Sequence, residues 1–301
     1  LIVAYLNRVV RKAIKCGQNP VDVIRYATIN AAREYGIKDL GAIAPGYVAD
    51  MQLVSRLDGE KPVAVFCSGR LVAENGIYIE NEKGQLKTVS FPNTMKMDQI
   101  KDAGDFVLKA PEGTGDTVKV NVIKSRYTGS FNKAFWEVLP VTDGKVELSG
   151  DPDLAFVAVC NRHGSGGKTI AVIRNFGLTR GAVASTISHD SHNFCVVYKD
   201  PNDAFLAARE LKRTGGGITV VCGGKVLATL ALPVAGLMSA LPVGELAPMV
   251  DKAEQAICEV CGGSNTFSKI ASLALVVLPG TLVSDRGIVD GPTLKFQPVF
   301  G

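Results

Sequence analysis

The sequence predicts a layered protein of mixed helix and strand, α/β or α+β, in about two domains. Three observations carry this reading. The chain has 301 residues, more than one average domain. Its hydrophobic content of 47% against 21% charged residues is enough to fill a core. Beyond residue 118, strand-like apolar runs interleave with helical patterns, which is how helices come to lie on a sheet.

Taken in order, Leu1–Lys15 carries Ile2, Val3, Leu6, Val9, Val10, Ala13 and Ile14 at helical spacing, and Gly17 closes it. The pattern starts without a cap or an initiator methionine, so the expectation is a piece of a longer protein. Asn19 caps a second helix with Pro20 in its first turn, and Gly36 ends it. Two short strands are expected around the Pro45-Gly46 turn, and a strand pair at Val63–Cys67 and Leu71–Ala73. Residues 80–117 are poor in pattern, which places a domain boundary near residue 90. Val118, Val120 and Val122 alternate with polar residues as in a half-buried strand. Asp143-Gly144 marks a hairpin turn. Phe156–Cys160 and Ile170–Ile173 read as buried strands joined by a flexible loop. Asp200-Pro201 opens a helix with Ala204, Phe205, Ala208 and Leu211 inward, stopped at Gly215. Ile218–Cys222 and Lys225–Ala228 form a hairpin. A helix over Glu245–Val260, an apolar segment Ile270–Leu278 and a strand-like run Thr293–Val299 complete the chain.

Composition narrows the function classes. A net charge of +4, from 33 basic and 29 acidic residues, is too mild for a nucleic-acid partner, and no basic cluster alternates with aromatics. No apolar run reaches the roughly 18 residues of a membrane span. Seven irregularly spaced cysteines indicate a reducing compartment, the cytoplasm, in place of a disulfide framework.

The densest polar stretch is Ser185–Asn193, which holds two of the three histidines between apolar flanks. Ser188, His189, Asp190, His192 and Asn193 are the candidate residues facing an active site. Buried polar groups are costly unless bonded, so packing alone does not explain them. They are expected as a polar network completing a site built mainly elsewhere. A further alternative is an independent metal centre on His189 and His192, which needs three or more protein ligands where the chain has one other histidine, His163. Adjacent residues rarely hold the geometry of a Ser–His–Asp relay. A hydrogen-bonded structural turn is the remaining reading. Gly164–Thr169 resembles the end of a phosphate loop, but position 162 is Arg and a strand follows it. Cys258 and Cys261 have CxxC spacing with no second ligand pair, so they are expected as core cysteines. Asp285-Arg286 reads as a charged turn.

Two sets of residues resemble a known family. Asn19-Pro20, Ala27-Thr28 with Asn30 and Ala32, then Leu40-Gly41, Pro45-Gly46 and Ala49-Asp50 resemble the end of an amidohydrolase-superfamily enzyme. Phe176–Ala182, Ser185–Asn193, Leu232–Ser239 and Ser284–Gly287 are similar to the C-terminal region of the adenine deaminase family, from which Thr266-Phe267-Ser268 departs.

That resemblance implies the last helices of a (β/α)8 barrel over residues 1–36. It implies closing strands of a small β domain over 37–90, and a layered α/β C-terminal domain over 91–301. It further implies hydrolysis of adenine to hypoxanthine and ammonia by a metal-activated water, in adenine catabolism. The divalent metal would be manganese, iron or zinc. Its ligands in the family lie upstream of the last barrel helix, so no metal ligand is expected in this chain, and the chain alone is expected to be inactive. Expected partners are adenine, the barrel domain and a second copy in a homo-oligomer. The rival reading is a non-catalytic structural or oligomerisation domain.

Overall fold

Seven consecutive residues, Leu154–Cys160, are all buried, a pattern that only a strand covered on both faces produces. The structure, a computed structural model, describes residues 6–79, 91–125 and 131–301. The chain divides into two compact units, Leu1–Val89 and Ser90–Gly301. Ile2 and Val3, assigned to the first helix, and the boundary stretch 80–90 lie outside the described residues.

The first unit holds helix α1 (Leu6–Lys15) and α2 (Pro20–Arg25), which runs through a π turn at Tyr26–Asn30 into α3 (Ala31–Glu34). The Asn19 side chain accepts from the Val21 and Asp22 amides, as its cap position predicts. Strands β1 (Met51–Leu53), β2 (Ala64–Cys67), β3 (Arg70–Glu74) and β4 (Ile77–Tyr78) form an antiparallel meander. Of the two strands expected around Pro45-Gly46, only the second forms, as β1. The Val48 amide bonds to the Asp39 carbonyl and Gly46 takes φ +86°, which closes residues 39–48 as a loop.

The second unit is built on a nine-stranded sheet. In chain order its strands are β5 (Thr117–Lys124), β6 (Lys133–Thr142), β7 (Lys145–Val146), β8 (Leu154–Cys160), β9 (Lys168–Arg174), β10 (Ala182–Ser185), β11 (Phe194–Tyr198), then after helix α4 (Pro201–Thr214) β12 (Gly217–Cys222) and β13 (Lys225–Ala231). Their spatial order is β13-β12-β10-β11-β8-β9-β5-β6-β7. All named pairings are antiparallel except β5 with β9. Helices α5 (Val243–Val260) and α6 (Phe267–Ser272) precede a small sheet of β14 (Thr281–Ser284), β15 (Gly287–Asp290) and β16 (Lys295–Gln297).

Both faces of the large sheet are covered. Val157, Val159 and Val197 pack with Ile257 and Val260 of α5 and Ile270 of α6. Their strand neighbours Phe156, Ala158 and Val196 turn the other way, onto Ala204, Ala207 and Leu211 of α4 and Phe106. Alternation along each strand therefore feeds two apolar layers, which explains why β8 and β11 read as unbroken apolar runs. Each fully buried Val or Leu contributes roughly 1.5–3 kcal/mol. The partly exposed Arg174 fork on Glu137, at 2.8 Å to each oxygen, belongs to a class of ion pairs that adds about 1 kcal/mol or less. Burial, not ion pairing, holds the sheet.

Helix α4 forms as expected: Asp200 caps the Asn202 amide at 2.8 Å, Pro201 starts it, and Gly215 ends it at φ +79°. Its buried face is Ala204, Ala207, Ala208 and Leu211, with Phe205 only half-buried. The ten-residue β6 was not legible as a strand. The segment expected over Ile270–Leu278 is helical only to Ser272, and the final strand shortens to Lys295–Gln297.

One buried carboxylate ties the covering helix α4 to a hairpin of the sheet. Asp203 of α4 accepts from the Gly223 and Gly224 amides at 3.0 and 2.8 Å, holding the β12–β13 turn. Asp203→Ala is expected to lower unfolding free energy by about 1–2 kcal/mol, read as a shifted urea midpoint at unchanged slope.

Candidate functional site

Strand register decides which loops share one end of the sheet. Phe194 pairs with Cys160, Ser185 with Ile218, and Gly217 with Ala231. The β8–β9 loop, the β10–β11 connection, the Gly215–Gly217 entry to β12 and the segment after β13 therefore all emerge at the same end. The connection between β10 and β11 is the polar stretch Thr186–Asn193, folded as a turn over His189–His192.

The turn is built by backbone and side chain together. The His189 amide donates to the Ala271 carbonyl at 2.9 Å, and the His192 amide to the Ser188 carbonyl at 2.7 Å. The His189–Asp190 peptide is cis, and His192 takes φ +49°. His189, Asp190 and Ser191 are exposed, His192 is half-buried, and Ser188 and Asn193 are buried. The rings of His189 and His192 meet edge to face, with centroids 5.2 Å apart. The Ser188 amide donates to His192 Nδ1 at 3.3 Å. Among the described residues, Asn193 Oδ1 has no hydrogen-bond partner, and the Ser188 hydroxyl meets only the Cys195 thiol, a poor partner. Burial pushes that thiol up to about 12.

Residues that sequence reasoning left apart join this turn. His163, on the β8–β9 loop, lies with its Nε2 2.9 Å from the Ser191 carbonyl, so all three histidines of the chain collect at this end. Asn161 accepts from the His163 amide and donates to Asp285 Oδ2 at 3.1 Å, which brings the charged turn Ser284–Gly287 alongside. Arg162 reaches inward and donates from Nε to the His192 carbonyl. A single sequence signal pointed here: the polar loop Asn161–Thr169 sits between two apolar strands, as Ser185–Asn193 does.

The arrangement does not fit a metal centre. Among the described residues, no group of three or more His, Cys, Asp or Glu side chains is placed to hold an ion. His163 Nε2 is taken by a carbonyl, and His192 Nδ1 accepts an amide. It does not fit a relay either, since no hydrogen bond joins Asp190 to a histidine ring among the described residues. Cys261 is buried in the core beside the Thr266 hydroxyl, with Cys258 half-buried. Thr266, where the resemblance departs, is thus fully buried in that packing. A separate, mainly apolar cleft of about 460 Å³ lies in the first unit, among Val10, Ile24, Ala27, Met51 and Leu57.

Comparison with known proteins gives two matching families. The adenine deaminase C-terminal domain family matches residues 130–295, and the amidohydrolase family matches residues 3–72. An adenine deaminase of Roseobacter denitrificans is 38% identical over 299 residues, covering 98% of this chain and 49% of that protein. One of a Ruegeria species is 39% identical over 304 residues, with shares of 98% and 49%. One of Moorella thermoacetica is 38% identical over 306 residues, with shares of 99% and 50%. The chain spans about half the length of the curated relatives it matches.

His192 gives the site a pH signature. Burial lowers its pKa below the ordinary 6.5, His189, Arg162 and His163 lower it further, and Asp190 opposes them. Between the two values the unfolded chain binds the proton and the folded chain does not, so stability rises with pH there. The melting temperature is expected to fall as pH drops below 6.5, levelling once the folded ring protonates. His192→Gln should flatten that part of the profile in a thermal scan over pH 5–8.

Proposed function

Because the chain belongs to the adenine deaminase C-terminal domain family, we propose that it acts as the C-terminal part of an enzyme hydrolysing adenine to hypoxanthine and ammonia. The observation that supports this most directly is the match over residues 130–295, within which the polar end of the sheet lies. We assign residues 1–36 to the last helices of a (β/α)8 barrel, 37–90 to the closing strands of a small β domain, and 91–301 to the family's own α/β domain. The reading carries with it adenine catabolism in the cytoplasm; no helix among the described residues is long and apolar enough to cross a membrane. Such hydrolysis uses a divalent metal, manganese, iron or zinc. Among the described residues no group of three or more His, Cys, Asp or Glu side chains is placed to hold an ion; in our reading this chain takes no step at the metal and is inactive alone.

What the chain supplies is a hydrogen-bonding surface. A purine presents ring nitrogens and an exocyclic amine, and deamination requires protons to be moved toward leaving ammonia. His189, Asp190 and Ser191 are exposed on one turn with His192 beside them. In our reading Ser188–Asn193 faces the substrate, binding it or closing the site over it. An enzyme that contains this sequence as its C-terminal half is the system for the test. His189→Ala or His192→Ala is expected to lower kcat/KM for adenine about 100-fold with the fold intact. Normal turnover and substrate affinity in both variants would rule the reading out.

One observation favours a second reading, a non-catalytic interaction module. Trp136 and Val138, two apart on β6, are both exposed, with Phe131 exposed nearby in sequence. In a homo-oligomerisation domain these residues would meet a second copy. The histidine substitutions would then leave turnover unchanged, and Trp136→Ser would shift the sedimentation coefficient.

A further inference from the structure

Arg162 is a buried cation, 2% exposed, in a protein whose other buried positions are overwhelmingly apolar. Its guanidinium fans out to three chain segments. Nε donates to the His192 carbonyl, Nη1 to Thr94 Oγ1 at 2.8 Å, and Nη2 to the Ala235 carbonyl at 2.8 Å. None of these acceptors carries charge, and among the described residues no carboxylate lies within ion-pair distance of it. Burial lowers its pKa, yet an arginine stays protonated. A buried charge without a counter-charge is costly, and only a fixed set of acceptors makes it tolerable. The packing around it is correspondingly close. A Cβ on Gly236, which takes φ +74°, would lie 2.8 Å from Nη1.

The consequence falls on His192. Its left-handed backbone is unfavourable for a residue with a side chain, and Arg162 grips the carbonyl that follows from it. With the His192 amide on the Ser188 carbonyl at 2.7 Å, the ring folds back so that Nδ1 accepts the Ser188 amide. A ring nitrogen that accepts an N–H has no proton of its own, so the neutral ring carries its proton on Nε2. Nε2 has no hydrogen-bond partner among the described residues.

We propose that Arg162 is a positioning residue that holds His192 in the turn so that its neutral ring presents the Nε2–H as a donor to a planar heterocycle with an in-plane acceptor. The choice of a purine as that heterocycle rests on the proposed function; the tautomer does not. A lysine cannot replace the fork, because a point charge on a flexible stem does not serve three divergent acceptors. The groups facing His192 are Arg162, His189 and His163, which disfavour its protonation, and Asp190, which favours it.

The test is long-range ¹H–¹⁵N NMR of the imidazoles in this chain, assigned with His163→Gln and His189→Gln. Wild-type His192 is expected to show the Nε2–H pattern and to titrate below 6.5. Arg162→Met, which removes both fork and charge, should mix the tautomers and raise the titration midpoint. Arg162→Lys should mix the tautomers while keeping the midpoint low. A wild-type Nδ1–H pattern overturns the proposal, and so does an unchanged His192 signal in folded Arg162→Met or Arg162→Lys. If neither variant folds, the wild-type pattern decides alone. Adenine titrated into an enzyme that contains this sequence as its C-terminal half should shift the His192 Nε2 resonance. An unmoved Nε2 with the tautomer intact overturns the purine assignment and leaves the positioning role standing.

Discussion

Apolar coverage of both faces of one large sheet is the constraint on which the second unit depends. Val157 and Val159 are committed to one layer, Phe156 and Ala158 to the other, so no interior position of β8 is free for chemistry. Polar groups are pushed to the strand ends. There the connections of several strands emerge together, and the histidines, Asp190 and Asn161 collect because register leaves them nowhere else, with Asp285 of the small sheet drawn in by Asn161. The site is a boundary condition of the core.

Local features were legible in the sequence because their causes are local. The caps Asn19 and Asp200 and the stop at Gly215 each act within a few residues of where they stand. The buried strands β8 and β11 declared themselves through unbroken apolar runs. Strand β6 did not: Glu137 and Pro140 interrupt it, and it tolerates them because, among the described residues, its sheet neighbours are β5 and the two-residue β7. The loop Leu40–Val48 misled through its apolar residues, which a proline-glycine turn folds into a loop in place of a strand.

The site was legible in part. Ser188–Asn193 stood out because polar density between apolar flanks is unusual at any fold. Its neighbours did not, because their contacts span the chain: Arg162 reaches His192 across 30 positions and Asn161 reaches Asp285 across 124. Only strand pairing decides that these loops share an end. Arg162 was invisible for a further reason. Arginine is ordinarily exposed, and in sequence its position served only to argue against a phosphate loop. The family match over residues 130–295 encloses both loops.

Gly236 shows what such crowding means for sequence variation. Its backbone leaves no room for a methyl group between the Arg162 guanidinium and the chain crossing at Gly216, where a Cβ would stand 2.5 Å from the Gly236 Cα. Two positions twenty apart are thus each held to glycine at positive φ, Gly216 by the backbone of Gly236 and Gly236 by the Arg162 guanidinium. In a saturation library this pair would be as depleted as residues that touch a substrate, although both sit behind the surface any ligand would meet. Intolerance at these positions reports the thickness of a backbone crossing, and ranking sites by mutational sensitivity alone would mistake scaffold for chemistry.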